Sequence, residues 1–223
     1  MSVPEVVTVS IDGREVQVPK GTGLVETALA AGIEIPVFCY EPRLGPAIGA
    51  CRMCLVEVEG MPKLQAGCTL TAADGMVVRT AQTSQTAADG QNSTLEFILV
   101  NHPLDCPVCD KGGECPLQDF SHQFGNDESR MDFPRRTFDG EGVKADVDFG
   151  PTLMLNRNRC ILCTRCVRFM KEVDSDAQIN IVDRGYGSEI ATFQEEGVHS
   201  LLSGNLMDVC PVGAITTRDY RFK

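Results

Sequence analysis

Eleven cysteines among 223 residues are the groups in this sequence best suited to chemistry. Their odd number argues against complete disulfide pairing, and they fall into three spaced sets that suggest metal binding. The first set, with the spacing C-x11-C-x2-C-x13-C, consists of Cys39, Cys51, Cys54 and Cys68. Four thiolates on a long loop are typical of plant-type [2Fe–2S] ferredoxins, although their first gap is shorter. A four-cysteine zinc site is the alternative, and the long ligand loop favours iron–sulfur.

The second set combines one histidine with three cysteines in the pattern H-x3-C-x2-C-x5-C. Its members are His102, Cys106, Cys109 and Cys115. His102 is the nearest candidate for the fourth ligand that the cysteines lack. A neutral imidazole ligand would raise the potential of a [4Fe–4S] cluster, in the direction seen when His replaces Cys in Rieske centres. The spacing alone leaves open a zinc site of three Cys and one His.

The third set has the pattern C-x2-C-x2-C followed by a remote Cys-Pro, the signature of a bacterial-type [4Fe–4S] ferredoxin. Its members are Cys160, Cys163, Cys166 and Cys210. A two-cluster ferredoxin repeats this pattern, but the positions expected for a second cluster hold other residues. These are Met170, Ser200, Ser203 and Leu206. The sequence therefore predicts a two-cluster fold that keeps one cluster.

The three sets use all eleven cysteines, so none is left for a catalytic nucleophile or a redox disulfide. His122 and His199 have no partner cysteines and are predicted to be ordinary polar residues. The sequence contains no G-x-G-x-x-G fingerprint and no phosphate-binding P-loop. We expect no catalytic residue and no nicotinamide or flavin site on this chain.

The elements that would carry the first set follow the order of a β-grasp domain. Alternating apolar residues on both sides of Asp12-Gly13 predict a β-hairpin over 7–18. A short helix is predicted over 23–31, a ligand loop over 39–54, and strands over 55–59 and 76–80. Residues 1–80 are therefore predicted to form a β-grasp [2Fe–2S] domain.

The remaining elements predict an α+β chain with further units. Ser93 and Glu96 form a capping-box pattern that predicts the start of a helix ended by Pro103. Residues 81–125 are expected to form a helical segment that carries the His-containing set as a [4Fe–4S] site, and the polar residues 126–150 a linking segment. Residues 151–223 are expected to form a bacterial-ferredoxin-like [4Fe–4S] domain.

Charge and hydropathy exclude several classes of protein. A formal net charge of −11 argues against nucleic-acid binding, which needs a basic surface. The first 20 residues lack the apolar core of a signal peptide, and no apolar stretch is long enough for a transmembrane helix. We expect a cytoplasmic protein, soluble or peripheral on the inner face of the membrane through its partners.

Four stretches resemble the N-terminal part of the large iron–sulfur subunit, known as the G type, of respiratory NADH:quinone oxidoreductase (complex I). They are IPVFCYEPRL…GACRMCLVEVEG (35–60), NHPLDCPVCDKGGECPLQ (101–118), RCILCTRCVRF (159–169) and SGNLMDVCPVGAIT (203–216). The resemblance implies one [2Fe–2S] cluster in the first set and one [4Fe–4S] cluster in each of the others. It favours clusters over zinc at all three sets.

The resemblance also implies an electron-transfer role and particular partners. The family implies a flavin-bearing and [4Fe–4S]-bearing NADH-oxidising subunit, a small [2Fe–2S] subunit, and a downstream iron–sulfur or catalytic subunit. The complex I subunit continues into a long domain similar to molybdopterin oxidoreductases, whereas this sequence ends at residue 223. That length is nearer to the small diaphorase subunit of soluble NAD-linked hydrogenases, and related modules serve NAD-dependent formate dehydrogenases. A soluble hydrogenase or formate dehydrogenase is therefore the alternative setting.

Overall fold

The computed structural model describes residues 5–138, 146–193 and 196–221. Residues 139–145 of the predicted linking segment, and the extreme ends of the first and last predicted domains, lie outside these ranges. The chain divides into two compact units. The first comprises 1–40 and 47–95, and the second comprises 41–46 and 96–223.

The first unit is built on a mixed five-stranded sheet. Its strands are β1 (Val6–Ile11), β2 (Arg14–Pro19), β3 (Leu55–Val58), β4 (Gln65–Ala66) and β5 (Met76–Arg79). They stand in the order β2-β1-β5-β3-β4. The pair β1 and β5 is parallel, and the other neighbours are antiparallel.

The hairpin between β1 and β2 turns at Asp12 and Gly13, whose φ angles are 50° and 78°. Both angles lie in the left-handed region that type I′ hairpin turns require. The Asp12 carboxylate also accepts hydrogen bonds from the backbone N–H and hydroxyl of Thr80, at 2.8 and 2.6 Å. The turn therefore fixes the chain that leaves β5 as well as the hairpin.

Helix α1 (Leu24–Ala30) supplies Leu24 and Ala28 to a core shared with Val9, Ile11 and Val56, among other residues. Each of these five side chains is fully buried. Burying aliphatic side chains between a helix and a sheet is the main force that holds such a unit together. A hairpin, a helix and further strands in this order confirm the predicted β-grasp arrangement.

Helix α2 (Gln85–Leu99) begins earlier than the sequence predicts. Ser93 lies inside it, so the predicted capping box at Ser93 and Glu96 is wrong. The hydroxyl of Ser84 instead accepts a hydrogen bond from the backbone N–H of Ala87, at 3.2 Å. Ala87 and Leu95 are fully buried at helical spacing, and this tertiary packing outweighs the poor helix propensity of the polar residues between them.

The second unit combines short helices with two small sheets. It contains helix α3 (Pro116–Phe124), strands β6 (Asp146–Asp148) and β7 (Leu153–Asn156), and helix α4 (Arg165–Arg168), which continues as a π-helical turn over Phe169–Val173. It continues with β8 (Ile179–Val182), β9 (Glu189–Thr192), α5 (Asn205–Val209) and β10 (Ile215–Thr217). The sheets have the orders β10-β7-β6 and β8-β9, and all their pairs are antiparallel. The predicted α+β class is confirmed.

The turn over 41–46 belongs to this second unit because of Arg168. The Nη2 atom of Arg168 donates hydrogen bonds to the carbonyls of Leu44 and Pro46, both at 2.8 Å, and to that of Gly45 at 3.2 Å. A buried guanidinium needs such acceptors, so α4 holds this turn in place.

Helices that could cross a bilayer are absent from the part of the chain that the structure describes.

Candidate metal centres

The four cysteines of the first set lie together beside the β-grasp core. The backbone N–H of Cys39 donates to Sγ of Cys51 at 3.4 Å, and the backbone N–H of Cys51 donates to Sγ of Cys39 at 3.5 Å. The backbone N–H of Gly67 donates to the carbonyl of Cys54 at 2.9 Å and so ties the segment of Cys68 to that of Cys54. Backbone N–H groups directed at sulfur are a recognised way to set the potential of an iron–sulfur cluster.

Hydrogen bonds between these thiols perturb their pKa values. A hydrogen bond with Cys39, followed by burial, raises the pKa of Cys51 well above its usual range. The hydrogen bond with Cys68 lowers the pKa of Cys54. For Cys68, the bond with Cys39 lowers the pKa, but the bond with Cys54 and burial outweigh it and raise the pKa to about 11. These mutual effects on the pKa values show that the thiols of the first set lie close to one another.

The second set surrounds a cavity in the second unit. Helix α3 places Cys115 directly before its first residue, and a 3-10 turn over Cys106–Val108 presents two further thiols. His102 follows α2 after one short turn. The cavity is lined by all four predicted ligands, His102, Cys106, Cys109 and Cys115.

The imidazole of His102 is suited to metal binding. Burial is the main cause that lowers its pKa to about 4, with Arg159 opposing protonation and Asp105 favouring it. The ring is therefore neutral near pH 7, as metal ligation requires. Its Nδ1 atom is buried and has no hydrogen-bond partner among the described residues. A buried nitrogen without a partner is costly unless another group satisfies it, so this ring fits a metal ligand.

Part of this cavity wall comes from residues that the sequence analysis did not assign to it. Arg159 and Gly213 line the cavity, and the carbonyl of Pro211 lies 3.9 Å from Sγ of Cys115. A Cβ atom added to Gly213 would overlap Sγ of Cys109. These residues lie close to Cys160 and Cys210 in sequence. Their position along the chain therefore associates them with the third set and gives no indication that they line the second site.

The third set lines a second cavity with apolar walls. Cys160, Cys163, Cys166 and Cys210 face it together with Leu155, Ile190 and Ile215, among others. Burial raises the pKa of each thiol, that of Cys160 to about 12. No thiolate forms readily in such surroundings unless a cation stabilises it, and iron would supply that charge.

The loop of the third set has an unusual backbone. Leu162 and Thr164 have φ angles of 52° and 64°, values that side chains with a Cβ rarely adopt. The backbone N–H of Leu162 donates to Sγ of Cys160 at 3.4 Å. The left-handed backbone at Leu162 and Thr164 turns the loop so that Cys160, Cys163 and Cys166 line one cavity. Backbone strain of this kind persists where the surrounding structure holds it in place.

Family models match three successive regions of the chain. Residues 5–83 match the 2Fe-2S iron-sulfur cluster binding domain. Residues 91–130 match the NADH-ubiquinone oxidoreductase-G iron-sulfur binding region, and 150–216 match the ferredoxin-like domain of NADH-quinone oxidoreductase subunit 3. Each region contains one of the three sets described above.

Individual relatives agree with these matches. The G subunit of NADH-quinone oxidoreductase from Streptomyces coelicolor is 47% identical over 98% of this chain. The mitochondrial NADH dehydrogenase [ubiquinone] iron-sulfur protein 1 of Solanum tuberosum is 45% identical over the same share. The chain corresponds to the iron–sulfur region of the G subunits of NADH-quinone oxidoreductases. It spans 25% and 28% of the lengths of these two relatives.

A solved structure extends the comparison to a second kind of enzyme. A chain of an NAD+-reducing [NiFe]-hydrogenase is 30% identical, with a TM-score of 0.81. The match covers 97% of this chain and 89% of the hydrogenase chain. The fold of this region of the G-type family is therefore also found in the hydrogenase.

This G-type chain has ordinary packing where a second ferredoxin cluster would need ligands. Met170 and Leu206 are fully buried, and Ser203 is buried. Two of the four positions are therefore filled by buried apolar side chains, which offer no thiolate ligand.

Among the described residues, no group of three or more His, Cys, Asp or Glu side chains is arranged to hold a metal ion. A zinc site brings its ligands to within about 2.0–2.3 Å of one ion. The ligands of a polynuclear cluster are distributed over several iron atoms, so a cluster does not require that arrangement.

Proposed function

We propose that this chain is an iron–sulfur electron-transfer subunit that relays electrons one at a time. Each of three sets of predicted ligands is gathered in one place, and each lies in a region that matches an iron–sulfur family model. This agreement carries the proposal. The chain itself would hold the clusters and would have no catalytic residue of its own.

We assign one [2Fe–2S] cluster to the first set, and one [4Fe–4S] cluster to each of the others. The ligands are Cys39, Cys51, Cys54 and Cys68 for the first, His102, Cys106, Cys109 and Cys115 for the second, and Cys160, Cys163, Cys166 and Cys210 for the third. We assign these sites to a β-grasp domain over 1–80, a helical segment over 81–125 and a ferredoxin-like domain over 151–223, with 126–150 as a linking segment.

When bound, the clusters supply one-electron oxidation and reduction; the residues of the chain control their surroundings. Burial of Cys163, Cys166 and Cys210 keeps water away from the third site. Backbone N–H groups face the sulfurs of Cys39, Cys51 and Cys160. Hydrogen bonds to sulfur and exclusion of solvent are the main means by which proteins set cluster potentials.

The correspondence to G subunits of NADH-quinone oxidoreductases supports a complex I-type NADH dehydrogenase as the setting. There the chain would receive electrons from a flavin-bearing NADH-oxidising subunit with its [4Fe–4S] cluster and a small [2Fe–2S] partner, and pass them to a downstream iron–sulfur subunit. Contact with a membrane would come from partner subunits.

A soluble NAD-linked hydrogenase is the second candidate setting. It is supported by the similarity to a chain of an NAD+-reducing [NiFe]-hydrogenase, which is 30% identical with a TM-score of 0.81. The relay function is the same in both settings, and the acceptor differs.

Redox titration of the anaerobically purified protein, followed by electron paramagnetic resonance, tests the relay. We expect signals from one [2Fe–2S] and two [4Fe–4S] clusters on stepwise reduction. Cys54→Ser, Cys109→Ser and Cys163→Ser should each alter or abolish one different signal, because each removes one ligand from one set. A protein that takes up no electrons, or variants that all affect the same signal, would contradict the assignment.

A further inference from the structure

The side chain of Arg159 occupies an unexpected place. Its backbone enters the loop of the third site, where Cys160 follows it directly, and its N–H donates to Oδ1 of Asn156 at 3.0 Å. Its guanidinium lines the cavity of the second site instead, among His102, Cys106 and Cys109. A cation from the loop of the third site therefore lies at the second site.

This guanidinium is almost completely withdrawn from solvent, with 3% of its side chain exposed. Its Nε donates to Oδ2 of Asp105 at 3.0 Å, whereas Nη1 is buried with no hydrogen-bond partner among the described residues. A buried N–H group without an acceptor is costly in free energy. A cluster sulfide or thiolate in the cavity would be such an acceptor.

Asp105 does not cancel the charge of Arg159 fully, because the two groups differ in exposure. The Asp105 side chain is 38% exposed, so solvent screens the carboxylate more than the guanidinium. The other cations close to this site are more accessible. Lys111 is 24% exposed and lies 3.9 Å from Glu114, and the exposed Arg135 donates to the carbonyl of His102. Arg159 is therefore the least screened of these positive charges.

We propose that Arg159 is a potential-setting residue for the cluster of the His-containing site, which it stabilises in the reduced state. Each electron added to a cluster makes it more negative, so a fixed cation nearby favours the reduced form over the oxidised form. The inference rests on the proposed function, because it takes a [4Fe–4S] cluster to be bound at this site. Arg159 acts together with neutral His102: both make the total charge around the cluster less negative.

The test is a redox titration of the complete holoprotein, in which electron paramagnetic resonance follows the cluster of the His-containing site. Arg159→Gln removes the cation, and Asp105→Asn removes its counter-ion. Both variants break the same ion pair. If the pair served only to hold the loop before Cys106, both variants would shift the potential in the same direction or not at all. Our proposal predicts opposite directions.

We expect Arg159→Gln to lower the ratio of reduced to oxidised cluster about tenfold at a fixed potential, a fall of about 59 mV in the midpoint. Asp105→Asn should raise the midpoint, and Arg159→Lys should retain most of the native value because it keeps the charge. Arg157→Gln is the matched control. Arg157 is a neighbouring cation whose side chain is 14% exposed and pairs with Glu189 at 3.3 Å, so its loss should leave this midpoint unchanged.

Shifts of equal sign in Arg159→Gln and Asp105→Asn, or no shift in either, would overturn the inference. If Arg159→Gln alone does not load iron at this site, the double variant Arg159→Gln/Asp105→Asn decides against Asp105→Asn: a lower midpoint in the double variant supports the inference, and an equal or higher one contradicts it. A native protein that lacks a cluster at this site would contradict the proposed function, whereas a loaded site with an unmoved potential would contradict only the role of Arg159.

Discussion

For single side chains, burial is the factor that prepares this chain to hold metal. Burial raises the pKa of Cys163, Cys166 and Cys210, so these thiols would remain protonated near neutral pH without a cation. At the second site, burial keeps His102 neutral by lowering its pKa to about 4. The thiols of the third site therefore need a cation, and the imidazole of the second site is free of the proton that would block metal binding.

His102 gives the clearest prediction about a single residue. In the variant His102→Cys, a thiolate would replace a neutral imidazole, and the cluster of that site would gain one negative charge. We expect its midpoint potential to fall, and each 59 mV of change alters a one-electron equilibrium about tenfold. Electron paramagnetic resonance during a redox titration measures this shift.

His122→Cys is the matched control for that variant. His122 lies on α3 and is exposed, so a thiol there should leave the cluster potential unchanged. His102 also lies just past the end of α2, where its backbone N–H donates to the carbonyl of Leu99 at 3.1 Å. If His102 served only to end the helix, His102→Cys would leave the cluster signal and its midpoint potential unchanged. That result would contradict the proposal that His102 is a ligand.

The twelve side chains proposed as ligands could be named from spacing and family resemblance, because iron–sulfur loops keep their ligands close in sequence. Arg159 and Gly213 could not be assigned to the second site in this way. Their neighbours Cys160 and Cys210 belong to the third set, and only the folded chain brings them to the cavity of Cys106 and Cys109. Contacts between segments far apart in sequence leave no local pattern.

Among the elements, the hairpin of β1 and β2 and the helix α1 follow the sequence pattern closely, because the turn chemistry and the alternation of apolar residues agree. Helix α2 shows the limit of such patterns. Its first two turns contain Asp89 and Gly90, which suggest a loop, yet Ala87 and Gln91 are fully buried and the amide of Gln91 donates to the carbonyl of Leu55. Tertiary contacts, which a local pattern does not reveal, decide where this helix begins.

The segment 211–213 lies between Cys210 and β10, and its Gly213 lines the cavity of the second site. A substitution at Gly213 tests the importance of that close approach. We expect Gly213→Ala to impair cluster binding at the second site, because the added Cβ would overlap Sγ of Cys109. A thiolate fixed on iron cannot move aside as a mobile side chain can. Iron per chain should fall towards about six of the expected ten atoms, with the loss confined to the signal of the His-containing site.

Gly204→Ala is the control for the glycine variant. An added Cβ there would meet no atom within 4 Å, and the residue has an ordinary helical φ of −55°. Iron content and all cluster signals should stay at their native values. Full iron content and an unchanged second-site signal in Gly213→Ala would show that this close approach is unimportant.

Considered as a whole, the chain has few large apolar side chains for its length, with aromatic residues at 6% and no tryptophan. The first unit has a sheet and helix core, whereas the second contains two small sheets and short helices around two cavities lined by cysteine. Metal binding adds directly to the free energy of folding. Bound clusters would therefore be structural components of the chain as well as its means of carrying electrons.

The content of iron, acid-labile sulfide and zinc in anaerobically purified protein tests the central claim most directly. Clusters of two, four and four iron atoms predict about ten iron atoms per chain, an equal amount of sulfide and no zinc. A protein with about three zinc ions per chain and little iron or sulfide would contradict the account and identify the three sets as zinc sites.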